Sequence, residues 1–156
     1  MKQRLLYAQL IAILTFYSLS VLAQDGNMQG IDAYFMEEGY FDNIEDALGD
    51  IENAYYLDLS LQSPKLKKIP TEVFQLKKLK YLELGFNQVE SVGDSIEQLT
   101  QLEVLGLSGN KYLKTVSEKV LQLPKLKELY LQDTGLSPDR LNAIALNLPQ
   151  TCKLIK

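Results

Sequence analysis

Residues 79–89 read LKYLELGFNQV and residues 102–113 read LEVLGLSGNKYL. Both stretches place leucine at their first, fourth and sixth positions and asparagine at the ninth. The same spacing returns at Leu126, Leu129 and Leu131, with Thr134 in the asparagine place. It begins earlier at Ala54, Leu57 and Leu59, with Gln62 in that place. The units start at 54, 79, 102 and 126, so they are spaced 25, 23 and 24 residues apart. Between the starts, Leu66, Ile69, Val73 and Leu76 correspond to Val89, Val92, Ile96 and Leu99, and then to Leu113, Val116, Val120 and Leu123. The register therefore runs through the whole unit and is not confined to one short segment.

In an extended segment successive side chains point to opposite faces, so the fourth and sixth residues of each unit share one face. A strand this short has too little apolar area to be stable alone. Stacking the units pairs strand with strand and buries the leucines in one continuous core, which predicts a curved solenoid with a parallel sheet on its concave face. Between the strands, TEVFQLKK, DSIEQLTQ and SEKVLQLPK carry apolar residues three or four apart, a spacing that predicts short helical or 3₁₀ segments on the convex side. Asn87 and Asn110 stand where the chain leaves the sheet. Their amides, with donors and an acceptor, suit turning backbone that no strand ladder reaches, so a structural role is expected of them.

The pattern resembles that of the leucine-rich repeat family, LxxLxLxxNxL with a period of roughly 20 to 29 residues. The resemblance covers residues 54 to about 136. Departures are Ala54 for the first leucine, Gln62 and Thr134 for asparagine, and the lack of proline after Val92 and Val116, where Ile69 is followed by Pro70. The resemblance implies an α/β fold, a short leucine-rich repeat horseshoe with helical terminal caps, and a binding function carried by the concave sheet. The absence of paired cysteines at the ends resembles small exported bacterial proteins of this family more than secreted animal ones.

A solenoid leaves apolar edges at both ends that terminal segments have to cover. Asn43 is placed to cap IEDALGDI, in which Ile44, Ala47, Leu48 and Ile51 form one apolar stripe. Ser137, Pro138 and Asp139 form a helix start, with Leu141, Ile144, Ala145 and Leu148 as the inward face and Pro149 limiting its continuation. Cys152, Leu154 and Ile155 are then expected in a last short strand. The domain reading is a signal peptide over 1–23, an acidic lead with the N-terminal cap helix over 24–53, and the repeat domain over 54–156, its C-terminal cap at 137–156.

The leader reading rests on Lys2 and Arg4 ahead of the apolar stretch 5–23, which ends in Val21-Leu22-Ala23, the small-residue pattern of a signal peptidase site. Cleavage near Gln24 makes an exported protein, periplasmic, cell-surface or secreted. Retention makes a membrane-anchored one. Residues 24–53 hold nine acidic residues and no basic one, against 14 basic and 11 acidic in residues 54–156. The lead lacks the ligand spacing and central glycine of a calcium-binding EF-hand loop, so it reads as solvated surface. A partner-docking arm is the alternative.

The 156-residue chain holds 16 basic and 20 acidic residues, for a formal net charge of −4, a balance that argues against nucleic-acid binding. It has no histidine and one cysteine, so it cannot assemble by itself a Ser-His-Asp triad, a Cys-His pair or a zinc site. No catalytic residue, metal or cofactor is expected. Binding is expected at the outward strand positions, which the core does not explain. The third position reads Tyr56, Tyr81, Val104 and Glu128, and the fifth reads Asp58, Glu83, Gly106 and Tyr130. Tyr56, Asp58, Tyr81, Glu83, Phe86 and Tyr130 are the candidate contact residues, around a shallow area expected at Gly85, Gly106 and Ser108. Tyrosine supplies large contact area with little rotamer entropy, which favours a protein partner. An adhesive or glycan-binding component of the cell envelope is the alternative. An acid and base pair made from Asp58 and Glu83 is disfavoured, because neighbouring rungs of an open sheet enclose no substrate and neither carboxylate has a sequence reason for a shifted pKa.

Overall fold

The computed structural model describes residues 39–156. The leader expected over 1–23, and the acidic lead up to residue 38, lie outside the described residues. The chain forms a six-stranded, all-parallel sheet in the order β1 (Tyr40–Phe41), β2 (Tyr56–Asp58), β3 (Tyr81–Glu83), β5 (Val104–Gly106), β7 (Glu128–Tyr130) and β8 (Lys153–Ile155). Strand register follows the repeat register, so that Leu57, Leu82, Leu105 and Leu129 lie side by side. Each of these four is at most 1% exposed, and so are Leu84, Leu107 and Leu131 at the sixth position. A strand followed by a parallel neighbour needs a crossover. The three inner crossovers each carry one 3₁₀ segment, at Thr71–Gln75, Asp94–Gln98 and Glu118–Gln122, and the first and last run through the helices Ile44–Gly49 and Pro138–Asn147. Val73, Ile96 and Val120 from these segments close the core from the convex side.

Two further features are not written in the leucine pattern. β4 (Ser91–Val92) and β6 (Thr115–Val116) pair in a second, two-stranded parallel sheet ahead of the last two 3₁₀ segments. β1 adds a rung in front of the first leucine unit, with Phe41 in register with Leu57.

The asparagines hold the turns together across rungs. Asn110 is fully buried; its Nδ2 donates to the carbonyls of Leu107 at 2.8 Å and Leu84 at 3.0 Å, and its Oδ1 accepts from the Val89 amide at 2.9 Å. Asn87 repeats this one rung earlier, donating to Leu59 and Leu84 and accepting from Leu66. Thr134, with one hydroxyl, reaches only Leu131.

Both caps are helical. α1 (Ile44–Gly49) starts at Asn43, whose Oδ1 accepts from the Asp46 amide at 2.8 Å. It buries Ala47, with Ile44 and Leu48 packed against the core. Ile51 is 38% exposed and does not join that stripe, because the helix ends at Gly49 and the helical periodicity ends with it. α2 (Pro138–Asn147) starts at Ser137 as N-cap with Pro138 in its first turn. It ends where Leu148 turns to extended backbone, as a residue ahead of proline is driven to do. Ile144 is buried, and Leu141 and Leu148 pack against the core. Ala145, expected on the same face, is exposed. Cys152 is buried immediately before β8.

Candidate binding face

The outward positions of six adjacent strands make one continuous surface. At the third position the rungs read Tyr40, Tyr56, Tyr81, Val104, Glu128 and Lys153. Tyr40 and Tyr56 have ring centroids 5.0 Å apart at an angle of 36°; Tyr56 and Tyr81 stack at 5.3 Å and 13°. Strands about 4.8 Å apart set this spacing, so the parallel register itself builds the ladder. Tyr40 was missed in the sequence because its rung carries no leucine. Burial, joined by Asp58, holds the Tyr40 and Tyr56 phenols well above the ordinary tyrosine value, so both remain neutral hydroxyls in any physiological medium.

At the fifth position Asp58 and Glu83 lie side by side in register. Asp58 Oδ1 accepts from the Ser60 amide at 2.8 Å, and Oδ2 accepts from the Tyr40 hydroxyl at 3.4 Å. Glu83 Oε1 accepts from the Gly85 amide at 2.8 Å. Two expectations need correction here. The shallow area expected over Gly85 and Gly106 is occupied: a Cβ on Gly106 would stand 1.9 Å from Glu83 Oε2, and one on Gly85 would stand 2.7 Å from Oε1. Glu83 therefore lies folded along the sheet over the two glycines. For the same reason its carboxyl does have a shifted pKa. Burial, opposed by the Gly85 amide and reinforced by Asp58, pushes it up to about 7.

Tyr130 is two rungs further on, and its hydroxyl donates to Glu128 Oε2 at 2.5 Å. Burial, joined by Glu128, raises its pKa as well. Ser108 donates to Gln132 Oε1 at 2.8 Å, which ties the seventh positions of neighbouring rungs together.

Phe86 is not on the sheet floor. It stands in the turn after β3 with a φ of +55°, its ring against Gly109 of the next rung, and 57% exposed. Leu61 occupies the same place one unit earlier, with a φ of +54° and 60% exposure. Gly109 and Asp133 complete the series at +75° and +53°. The eighth position of every unit thus takes left-handed backbone. That suits glycine and strains bulky residues. Leu61 was also missed in the sequence, although aligning the units puts it at the place of Phe86.

Of the six residues expected to form the contact surface, Tyr56, Asp58, Tyr81 and Glu83 are brought together on two neighbouring rungs. Phe86 borders them on the lip of the sheet, and Tyr130 lies apart with Glu128. A cavity of about 270 Å³ is found elsewhere, between α2 and the 118–122 segment, lined by Leu121, Leu136, Arg140 and Ile144 among others. Among the described residues no cluster of His, Cys, Asp and Glu is arranged to hold a metal ion.

An open parallel face on a stacked-repeat scaffold defines a class of protein that works by surface contact. The fold is that of the leucine-rich repeat proteins, and the leucine rich repeat family model matches residues 56–112 of this chain. A solved leucine-rich repeat protein of Leptospira interrogans is similar over 75% of this chain and 28% of its own, with a TM-score of 0.61 and 28% identity. An internalin of Listeria monocytogenes shares the fold over 70% of this chain and 31% of its own, with a TM-score of 0.50 and 23% identity. The adenylate cyclase of Schizosaccharomyces pombe is 36% identical over 99 residues, which are 64% of this chain and 5% of the cyclase. The chain thus spans less than a third of the length of each of these three proteins. The fold is one that supports protein interaction in general, and its family and structural neighbours are typically non-enzymatic.

Proposed function

We propose that this protein is an exported, non-catalytic binding module that takes a protein partner on its concave sheet. The observation that carries the reading is the Tyr40–Tyr56–Tyr81 ladder, flanked by Asp58 and Glu83 on a face with no enclosing walls. An open face with large, rigid aromatic side chains suits a macromolecule better than a small substrate, which needs a concave site around it. The raised pKa of Glu83 is accounted for by burial over Gly106 and calls for no acid–base role. Ring orientation favours a protein over a glycan. Tyr56 and Tyr81 stack their faces on one another, whereas a sugar is held by stacking on an open ring face. Export is supported by Lys2, Arg4 and the apolar stretch 5–23 with its small-residue end.

The test uses the full chain, produced in an exporting host, as bait. A partner captured by the parent and lost, by about tenfold or more, on Tyr81→Ala/Tyr130→Ala supports the face. A convex-side control, Lys119→Ala, is expected to bind normally. Equal binding by the double variant would remove the concave assignment. Mass spectrometry of the same preparation is expected to find a start at or near Gln24. Intact Met1 in the membrane fraction would favour the anchored envelope component instead.

A further inference from the structure

Two features of this face stand apart from the tyrosine ladder. The first is electrostatic. Asp58 and Glu83 form a carboxylate strip on β2 and β3, and the fifth position continues into Gly106 with no basic residue. Among the described residues the ion pairs are Lys78–Glu52, Lys119–Glu97 and Lys127–Glu103, which involve neither Asp58 nor Glu83. The nearby lysines have other neighbours. Lys80 lies against the Tyr55 ring at 5.3 Å, and Lys65 donates to the Phe86 carbonyl at 2.8 Å. The strip is also pre-set, since each carboxylate keeps one oxygen on a backbone amide of its own turn.

The second feature is apolar. Leu61 and Phe86 occupy equivalent turns on neighbouring rungs, linked by the Leu61 amide donating to the Gly85 carbonyl. Each keeps more than half its surface exposed in backbone where glycine is cheaper. Packing does not explain them, for the interior does not use their side chains. A strained and exposed residue is a pointer to contact with something outside the chain.

Resting on the reading of the concave face as the binding surface, we infer that the partner is a protein segment that sets an arginine or lysine side chain on Asp58 and Glu83 and an adjoining apolar side chain on the lip of Leu61 and Phe86. The charge complementarity is direct: no lysine or arginine among the described residues pairs with Asp58 or Glu83, and Glu83, whose pKa burial pushes up to about 7, ionises more readily once a guanidinium or ammonium group is set beside it. The apolar lip starts three residues along the chain from each carboxylate, so one short peptide segment spans both. This confines the footprint to the N-terminal rungs and leaves the Glu128–Tyr130 pair outside it.

The experiment is selection of a random displayed peptide library on the full chain. Enriched peptides are expected to carry arginine or lysine next to an apolar residue and to bind more weakly as salt is raised. Two variant pairs then read the two halves. Asp58→Asn/Glu83→Gln is expected to weaken binding about tenfold or more. Leu61→Gly/Phe86→Gly is expected to weaken it while leaving thermal stability equal or higher, because glycine relieves the left-handed turns; a purely structural role for these residues gives the opposite sign. Selected peptides that are neutral or acidic, a library that yields no binder, or cationic peptides indifferent to either pair overturn the inference. Failure is distinguishable from failure of the parent reading. Peptides lost on Tyr56→Ala/Tyr81→Ala but kept by both pairs preserve the concave face and remove this partner chemistry, whereas peptides kept by all variants remove both.

Discussion

The carboxylate of Glu83 stands in the place that a side chain at Gly106 would need: a Cβ there would be 1.9 Å from Oε2 and 2.5 Å from Oε1. Glycine at this rung is therefore a companion of Glu83, although the two lie on different strands. Gly106→Ala is expected to expel the carboxylate from its seat and break its bond to the Gly85 amide. The cost is about 1 kcal/mol, since a flexible side-chain end can move away. In a Glu83→Ala background the same substitution is expected to cost close to nothing, and a double-mutant cycle by denaturant unfolding checks this. Additive losses would mean that the glycine answers to its backbone alone.

Glu83 also sets a pH dependence. Its folded pKa, about 7, lies above the unfolded carboxyl value of 4.5, so the folded state holds the proton more tightly. Below the unfolded value neither state is ionised and the stability is fully present. As pH rises through 7 the folded state has to carry a charge beside Asp58, with Tyr56, Tyr81 and Tyr130 around it, and stability falls. The loss is about 1 to 3 kcal/mol, because a pKa unit corresponds to about 1.4 kcal/mol and partial exposure screens part of it. The difference between parent and Glu83→Gln in unfolding free energy, followed from pH 4.5 to 7, isolates this group. A flat difference would mean that Glu83 titrates normally.

Asn110→Ala is expected to destabilise by about 1 to 3 kcal/mol, since it leaves the buried Leu107 carbonyl and the Val89 amide without partners and takes from the Leu84 carbonyl one of its two side-chain amide donors, the other being Asn87. Thr134→Ala, which removes a single bond to Leu131, is expected to cost less. Equal losses in urea melts would refute the idea that bonds between rungs make the difference.

Leu105 is fully buried, with Leu82 and Leu129 as its neighbours in register. Leu105→Ala is expected to cost about 2 to 5 kcal/mol through lost burial and the cavity left behind. That is a large part of the stability of a domain this size, and thermal unfolding measures it directly.

The leucine register could be read because each core position recurs with the same spacing, so independent units vote for one alignment. Both helix starts were legible for a local reason: Asn43 and Ser137 each satisfy an amide within one turn. Tyr40 and β1 were not legible, since a rung made of Tyr-Phe has no leucine to align. The two-stranded sheet at Ser91–Val92 and Thr115–Val116 depends on pairing between units, which no single unit displays. The outward alternation put Tyr56, Asp58, Tyr81 and Glu83 on one face of neighbouring strands, where the structure has them. It misjudged the space over Gly106 because a glutamate reaches sideways across rungs, and a pattern that counts positions along one strand cannot register that reach.

The asparagine bonds have a consequence for how such a chain can change in length. Asn110 serves its own turn and the preceding one, Leu84 and Val89, and Asn87 does the same toward Leu59 and Leu66. Every interior unit therefore offers, on its leading side, the groups its successor needs, and consumes on its trailing side what its predecessor offers. Duplicating the segment from one asparagine to the next would leave every such group engaged, whereas gaining or losing part of a unit would strand donors over the wrong carbonyls. The protein is built to grow or shrink in whole repeats of 23 to 25 residues, with its two helical ends unaltered.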